Sequence, residues 1–287
     1  MTLAAPVPLE YRRATPWAGR GNGPGQFRSA LRGIAVGAAG IVFAAGDSIV
    51  KVFDSAGVLV REWPTERSGF CVASDDRERV WVGELSQVEV FAMDGERLEV
   101  RKDPPRLGRV TAVGFAGEDA FFADATARCI HRYDGAGVFL NAIGDKHRKG
   151  GFHIPNGVVD FAIDEEDVIH VANPGMHRVE RYSVDGGQLG RFGHFDGRDP
   201  AGFSGCCNPT NVTVDARGRV IVTEKAGPRA KVYGPDGVLI TVVARDVFDP
   251  GAKNMDVVVD RTGRIYVVDT VSLEIQVFEP LLRDEAA

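Results

Sequence analysis

The chain has 287 residues, 44% of them hydrophobic, with a formal net charge of −6 and no window approaching the ~20 apolar residues of a membrane-spanning helix. The charge argues against a generic phosphate- or nucleic-acid-binding surface, and four scattered cysteines are too few for a disulfide scaffold. The N-terminal run MTLAAPVPLEYRRATPW lacks a basic segment followed by an apolar stretch, so the expected location is cytoplasmic, or periplasmic if a signal has been removed.

The first predicted element, Leu9–Arg13, reads as a strand with nothing before it to pair with. After it, a unit of four short β-rich runs joined by tight turns recurs about six times, most plainly across residues 208–244. Aligned on its last residue, the second run reads Trp81–Glu84, Phe121–Asp124, His170–Asn173, Ile221–Glu224 and Tyr266–Asp269, with Val42–Ala45 a looser match. Turns between third and fourth runs carry aspartates at 54, 94, 134, 185 and 236, spaced by 40, 40, 51 and 51 residues. Asp and Gly at such places supply side-chain turn hydrogen bonds and positive φ. The sixth copy, Asp256–Pro280, stops after its third run, and Leu281–Ala287 reads as a tail. Placing Leu9–Arg13 on the outside of that last unit completes six four-stranded antiparallel sheets and removes two open edges. The expected fold is an all-β, six-bladed β-propeller, a single domain over residues 1–287 closed by its N-terminal strand.

The segments GNGPGQF (Gly21–Phe27) and KGGFHIPNG (Lys149–Gly157), with VVD or VTE closing the second run, resemble the NHL-repeat signature. The resemblance covers nearly the whole chain and is good in blades 1, 4, 5 and 6, whereas blades 2 and 3 match only in strand register. It implies a six-bladed propeller serving as a binding platform, within a family that shades into peptide-amidating lyases and, more distantly, gluconolactonase-like metal hydrolases. GCCNP followed by TEK and PRAKVY is similar to a bacterial subset of such proteins.

Three sets of residues carry candidate chemistry. The vicinal pair Cys206-Cys207 precedes Asn208-Pro209 in a segment expected to be lengthened, since Phe203 to Asn211 is eight residues and Phe27 to Arg32 only five. Adjacent thiols can close a strained eight-membered disulfide ring or present two thiolates to a soft metal, and Lys225 would lower a thiol pKa if it points inward. Cys71 and Cys129 fall within strand runs and read as core. Counting back thirteen residues from each second-run end gives the starts of the inner strands: Arg32, Cys71, Thr111, Asp160, Asn211 and Asp256. Alternation points these towards the channel, where Asp160, Asn211 and Asp256, joined by Asn156, would offer oxygen ligands to Ca²⁺ or Mg²⁺. This set resembles the divalent site of gluconolactonase-like propellers, without a clear N-terminal glutamate ligand. The second-run ends Glu84, Asp124, Asn173, Glu224 and Asp269 read as turn caps, with Glu224-Lys225 the departure from the usual aspartate. His147, His153, His177 and His194 show no zinc-site spacing, and the Lys146–Lys149 basic cluster is offset by nearby acids without aromatics to stack bases.

The sequence therefore predicts a platform that binds a small molecule or peptide on the face bearing the blade 4 and 5 connections. Its expected ligand contacts are Arg32, Cys206, Cys207, Asn208, Asn211, Glu224 and Lys225. Two alternatives stay open: a divalent-metal hydrolase or lyase using Asp160, Asn211 and Asp256, and a redox or soft-metal site at the cysteine pair. Nucleic acid is not an expected partner.

Overall fold

The computed structural model describes residues 9–145, 150–225 and 227–281; the Lys146–Lys149 cluster and the tail beyond Leu281 lie outside these. Six antiparallel sheets stand around a central channel, each with its first strand innermost. The inner strands are Gly33–Val36, Cys71–Ser74, Val110–Ala116, Asp160–Ile163, Asn211–Val214 and Val257–Val259. Blades 2 and 3, which lack the Gly-x-Phe lead-in, are four-stranded like the rest. Helix is confined to two three-residue 3₁₀ turns among the described residues.

Blade 6 supplies three strands of its own, and Glu10–Arg13 pairs antiparallel with its last strand, Glu274–Leu281, with Arg13 opposite Phe278. A second contact reinforces this closure: Trp17–Ala18 pairs with the same strand, and the Trp17 ring lies 5.3 Å from Tyr266 and 6.3 Å from Phe53. The first and last parts of the chain thus share one sheet, and the outer edge of that sheet is covered.

Six hydrophobic clusters lie one between each pair of neighbouring blades. Alternation along the second and third strands sends Val, Ile and aromatic side chains to both faces of each sheet, so every sheet is a wall shared by two cores. The lead-in phenylalanines explain their own recurrence: Phe27, Phe152, Phe203 and Phe248 are all buried as wedges between consecutive blades. Leu107 does this for blades 2 and 3. Cys71 and Cys129 are buried within strands, as expected.

Blade 1 departs from the expected register by one residue. Strand pairing sets Gly46, not Ala45, level with Glu84 and Asp124, so the inner-strand position of blade 1 is Gly33 rather than Arg32. A Cβ at Gly33 would sit 2.6 Å from the Cα of Cys71, so the backbone of blade 2 leaves room only for glycine. The capping acid is displaced to Asp47, whose carboxylate accepts the Arg28, Ser29 and Ala30 N–H groups of the incoming segment.

A second correction concerns blade 5. Phe203 to Asn211 is eight residues, but Phe152 to Asp160 and Phe248 to Asp256 are also eight, so the stretch after the wedge is ordinary. The extra length lies before Phe203, in the connection after Phe192, where Phe195 and Phe203 form an isolated parallel bridge.

Candidate functional site

At one end of the channel a cavity of about 430 Å³ opens to solvent. Arg32, Arg109 and Lys253 stand around it, and Phe70, Asn156 and Asn254 complete its wall. Both arginines pack against the same ring: the Arg32 guanidinium lies 5.3 Å and that of Arg109 5.7 Å from the centroid of Phe70. Arg32 also donates to Ser68 Oγ at 2.6 Å. The guanidinium planes are thereby held in place by an aromatic face, while charge remains available to the cavity. Asn156 Nδ2 donates to Asn254 Oδ1 at 2.7 Å, and Asn156 Oδ1 is buried without a hydrogen-bond partner.

Asn211 and Asp256 form the floor, and Asp160 lies behind them, lining the channel rather than this cavity. Asp160 and Asn211 open their inner strands, Asp256 immediately precedes its own, and this region staples blades together around the ring. Thr111 Oγ1 donates to Val159 O at 2.7 Å, Asp160 Oδ2 accepts Val212 N at 2.7 Å, and Asp256 Oδ2 accepts Ile34 N at 2.9 Å. Asn211 hydrogen-bonds both carboxylates, and its own Oδ1 is buried without a partner. Burial pushes the Asp256 carboxyl up to about 7, against the opposing effect of the Ile34 and Val257 N–H groups and Asn211. Asp160 is raised well above the carboxylate range by burial and then by the charge of Asp256. Two carboxyls sharing one amide in a dry floor resist double ionisation, so the pair retains proton near neutral pH.

The remaining predicted site residues lie apart from this cavity. Cys206 is exposed and Cys207 buried, with sulfurs 3.2 Å apart. Asn208 is fully buried; its Nδ2 donates to Ser204 O at 2.6 Å and its Oδ1 accepts Lys225 N at 2.8 Å. Glu224 is also fully buried, in ion pairs with Arg229 (2.8 Å) and Lys231. The structure therefore gathers Arg32, Asn211 and Asp256 at the cavity with Asp160 beneath, and gathers Cys206, Cys207, Asn208, Glu224 and Lys225 at the lead-in to blade 5.

Sequence reasoning missed Arg109, Phe70 and Lys253, which sit in connections without a repeating signature. It also missed a ring of buried polar residues at the centre of the third strands: Lys51, Glu89, His131, Glu180, Lys231 and Gln276. Their signal was available, since the six pairing registers that align the second strands also align these residues. Of the blade 4 histidines, His177 lies beside Asn208 and near His153, while His194 pairs with Asp199 at 3.3 Å; His147 lies outside the described residues. Among the described residues no three His, Cys, Asp or Glu side chains converge as a metal site.

The chain matches no protein-family model and no curated protein. Solved structures do share its fold. A structural-genomics protein of unknown function from Bacteroides thetaiotaomicron superposes with a TM-score of 0.72 at 16% identity, over 95% of this chain and 76% of that one. A gluconolactonase from Xanthomonas campestris gives 0.66 at 16% identity, over 88% and 86%. Virginiamycin B lyase from Staphylococcus aureus gives 0.59 at 13% identity, over 96% and 90%. The chain is a six-bladed β-propeller, a class that includes both binding platforms and enzymes.

Proposed function

We propose that the protein is an NHL-type platform that binds a small polar anion, a hydroxylated carboxylate in the first instance, in the axial cavity. The observation that carries this reading is the pair of arginines packed against the one ring of Phe70 at the cavity. In a chain of net charge −6, Arg32, Arg109 and Lys253 make this opening locally cationic. A guanidinium held by an aromatic ring loses little side-chain entropy on binding a carboxylate. The unpartnered amide oxygens of Asn156 and Asn211 provide acceptors for ligand hydroxyls. A volume of about 430 Å³ suits a metabolite rather than a folded partner. The ligand position thus shifts from the blade 4 and 5 rim to the axis, where those blades contribute Asn156, Val158 and Asn211.

The floor favours a second reading, a lactonase- or lyase-like activity. Asp160, Asp256, Asn211 and Asn156 present hard oxygen donors, two of them amide oxygens with no partner, which is the donor chemistry of a Ca²⁺ or Mg²⁺ site. A cation bound there would polarise a substrate carbonyl or lower the pKa of water. Binding the cation would displace the proton that the carboxyl pair otherwise retains, and the arginines would hold the anionic product.

Calorimetric titration with gluconate, citrate and phosphate tests the first reading. Saturable binding of at least one, weakened about tenfold or more in Arg32→Gln and in Arg109→Gln, supports it; no binding, or equal affinity in the variants, removes it. Proton release from glucono-δ-lactone with and without Ca²⁺ or Mg²⁺ tests the second. Metal-dependent turnover lost in Asp256→Asn supports hydrolysis, and turnover equal to the buffer rate eliminates it for this substrate class.

A further inference from the structure

The lead-in to blade 5 carries a second group of residues that do not line the cavity, although the charge of Lys253 at the cavity rim also acts on Cys206. Cys206 is exposed and Cys207 is buried directly behind it, with 3.2 Å between their sulfurs. Around them the chain commits a set of buried polar side chains to one loop. Lys231 Nζ donates to Gly202 O at 2.7 Å, Tyr233 Oη to Ala201 O at 2.8 Å, and Arg229 to Ser204 Oγ at 3.3 Å. Asn208 ties Ser204 O to Lys225 N. The loop is thus gripped on both sides of the cysteines, and Lys225 lies beside both sulfurs.

We propose that Cys206 and Cys207 form a dithiol that exchanges with small-molecule disulfides, cycling between two thiols and an internal Cys206–Cys207 bond. The asymmetry of the pair assigns the roles. Cys206, reachable from solvent, is the attacking sulfur; Cys207, screened from solvent but already in contact with its neighbour, is the resolving one. The hydrogen bond from Cys207 and the positive charge of Lys225 favour the Cys206 thiolate, whereas burial keeps Cys207 protonated.

In the first step the Cys206 thiolate attacks one sulfur of R–S–S–R, forming a Cys206–S–S–R bond and expelling RS⁻, which takes up a proton. In the second, Cys207 loses its proton to solvent and attacks Cys206 Sγ, closing the ring and expelling the second RS⁻. The small disulfide gains two electrons and two protons and leaves as two thiols; the protein loses two electrons and two protons. The ring closed by adjacent cysteines is strained, so excess thiol reopens it readily. Cys71 and Cys129 do not compete, since both are buried inside strands and burial raises the Cys71 thiol further. A soft-metal cage would need further ligands beside the pair, and among the described residues no third His, Cys, Asp or Glu completes one.

The test uses the full chain and oxidised glutathione, read by intact mass and thiol titration without denaturant. The expected result is loss of two thiols with no glutathione retained, reversed by excess dithiothreitol. Cys207→Ser should stall with one glutathione on Cys206, and Cys206→Ser should not react. Lys225→Gln should slow alkylation of Cys206 at pH 7 by roughly three- to tenfold. A stable glutathione adduct on the wild-type protein, equal reaction in Cys206→Ser, a disulfide-linked dimer, or a tightly held soft metal that blocks exchange would each overturn the proposal.

Discussion

Asp269 and Glu224 occupy the same position in blades 6 and 5, both closed off from solvent, yet their charges are neutralised by different means. Asp269 accepts the Asp249 N–H of the incoming segment at 2.7 Å and the Val271 and Ser272 N–H groups of its own turn at 2.9 and 3.1 Å. Asp124 in blade 3 repeats this with Gly108, Thr126 and Ala127. In these blades backbone dipoles stabilise the carboxylate, and the carboxylate in turn fixes the incoming chain. Glu84 of blade 2, a methylene longer, still accepts the incoming Arg67 N–H at 3.0 Å, whereas Glu224 pairs with Arg229 and Lys231 instead. The incoming segment of blade 5 then loses its backbone clamp, and Lys231, Tyr233, Arg229 and Asn208 hold it through side chains. A repeat position that elsewhere serves only the fold has here been given over to positioning one loop, and that loop carries the two vicinal cysteines.

The largest expected effect breaks this substitution of cations for dipoles. Lys231→Met leaves Glu224 buried with half its counter-charge and removes the bond to Gly202 O, so denaturant unfolding should show a loss of about 3–5 kcal/mol. Adding Glu224→Gln should recover part of that loss, because the second change removes the uncompensated charge. If the double variant is less stable than Lys231→Met alone, the ion pairs are not what holds the position. Asp269→Ala should cost less, about 2 kcal/mol, since it forfeits hydrogen bonds from the backbone without stranding an opposite charge. The two variants should also differ in kind: Lys231→Met should change the alkylation rate of Cys206, and Asp269→Ala should leave it alone.

Much of the blade architecture was legible because it depends on period-two alternation and on turn chemistry. Asp54 and Asp134 each accept two N–H groups of their turns, as the spacing implied. Asp185 departs: it takes Arg132 at 2.7 Å, and Ser183 Oγ accepts the turn N–H of Gly187. The missing fourth strand of blade 6 identified its substitute at the N-terminus, since an unpaired edge needs a partner. Blade 1 was misread by one residue because Gly46 took the place of an acid and Asp47 moved beyond it, a change that composition alone does not reveal. Arg109 and Phe70 could not be paired from sequence; they meet only because blades 2 and 3 close side by side around the axis. The convergence of Asp160, Asn211 and Asp256 was legible, but their use as staples to the next blade was not, because it depends on which neighbouring N–H faces each carboxylate.

The floor and rim of the cavity sharpen the same contrast on a smaller scale. The folded Asp256 carboxyl lies at about 7, above its ordinary value of 3.8. The folded state therefore holds a proton that the unfolded chain releases from about pH 4 upwards. Its contribution to stability is fully present below that value and is lost as pH rises through 7. Relative to Asp256→Asn, the wild-type advantage should shrink by about 2.5 kcal/mol between pH 5 and pH 8, as measured by urea unfolding at each pH. An advantage independent of pH would mean that the carboxyl is ionised throughout and balanced by a bound cation.

Arg109→Gln should produce the smallest change in stability, within about 0.5 kcal/mol, because its guanidinium is exposed and its ring contact with Phe70 is shared with Arg32. That near-neutrality makes the variant informative. Unlike Lys231, the rim arginines pair with no buried carboxylate among the described residues, and their clustering over one aromatic ring is the ground of the proposed anion site. Loss of gluconate binding without loss of stability would separate the axial cavity, built for a ligand, from the blade 5 cations, built for a loop. A stability loss as large as that of Asp269→Ala would instead make Arg109 another staple between blades and leave the cavity without its principal argument.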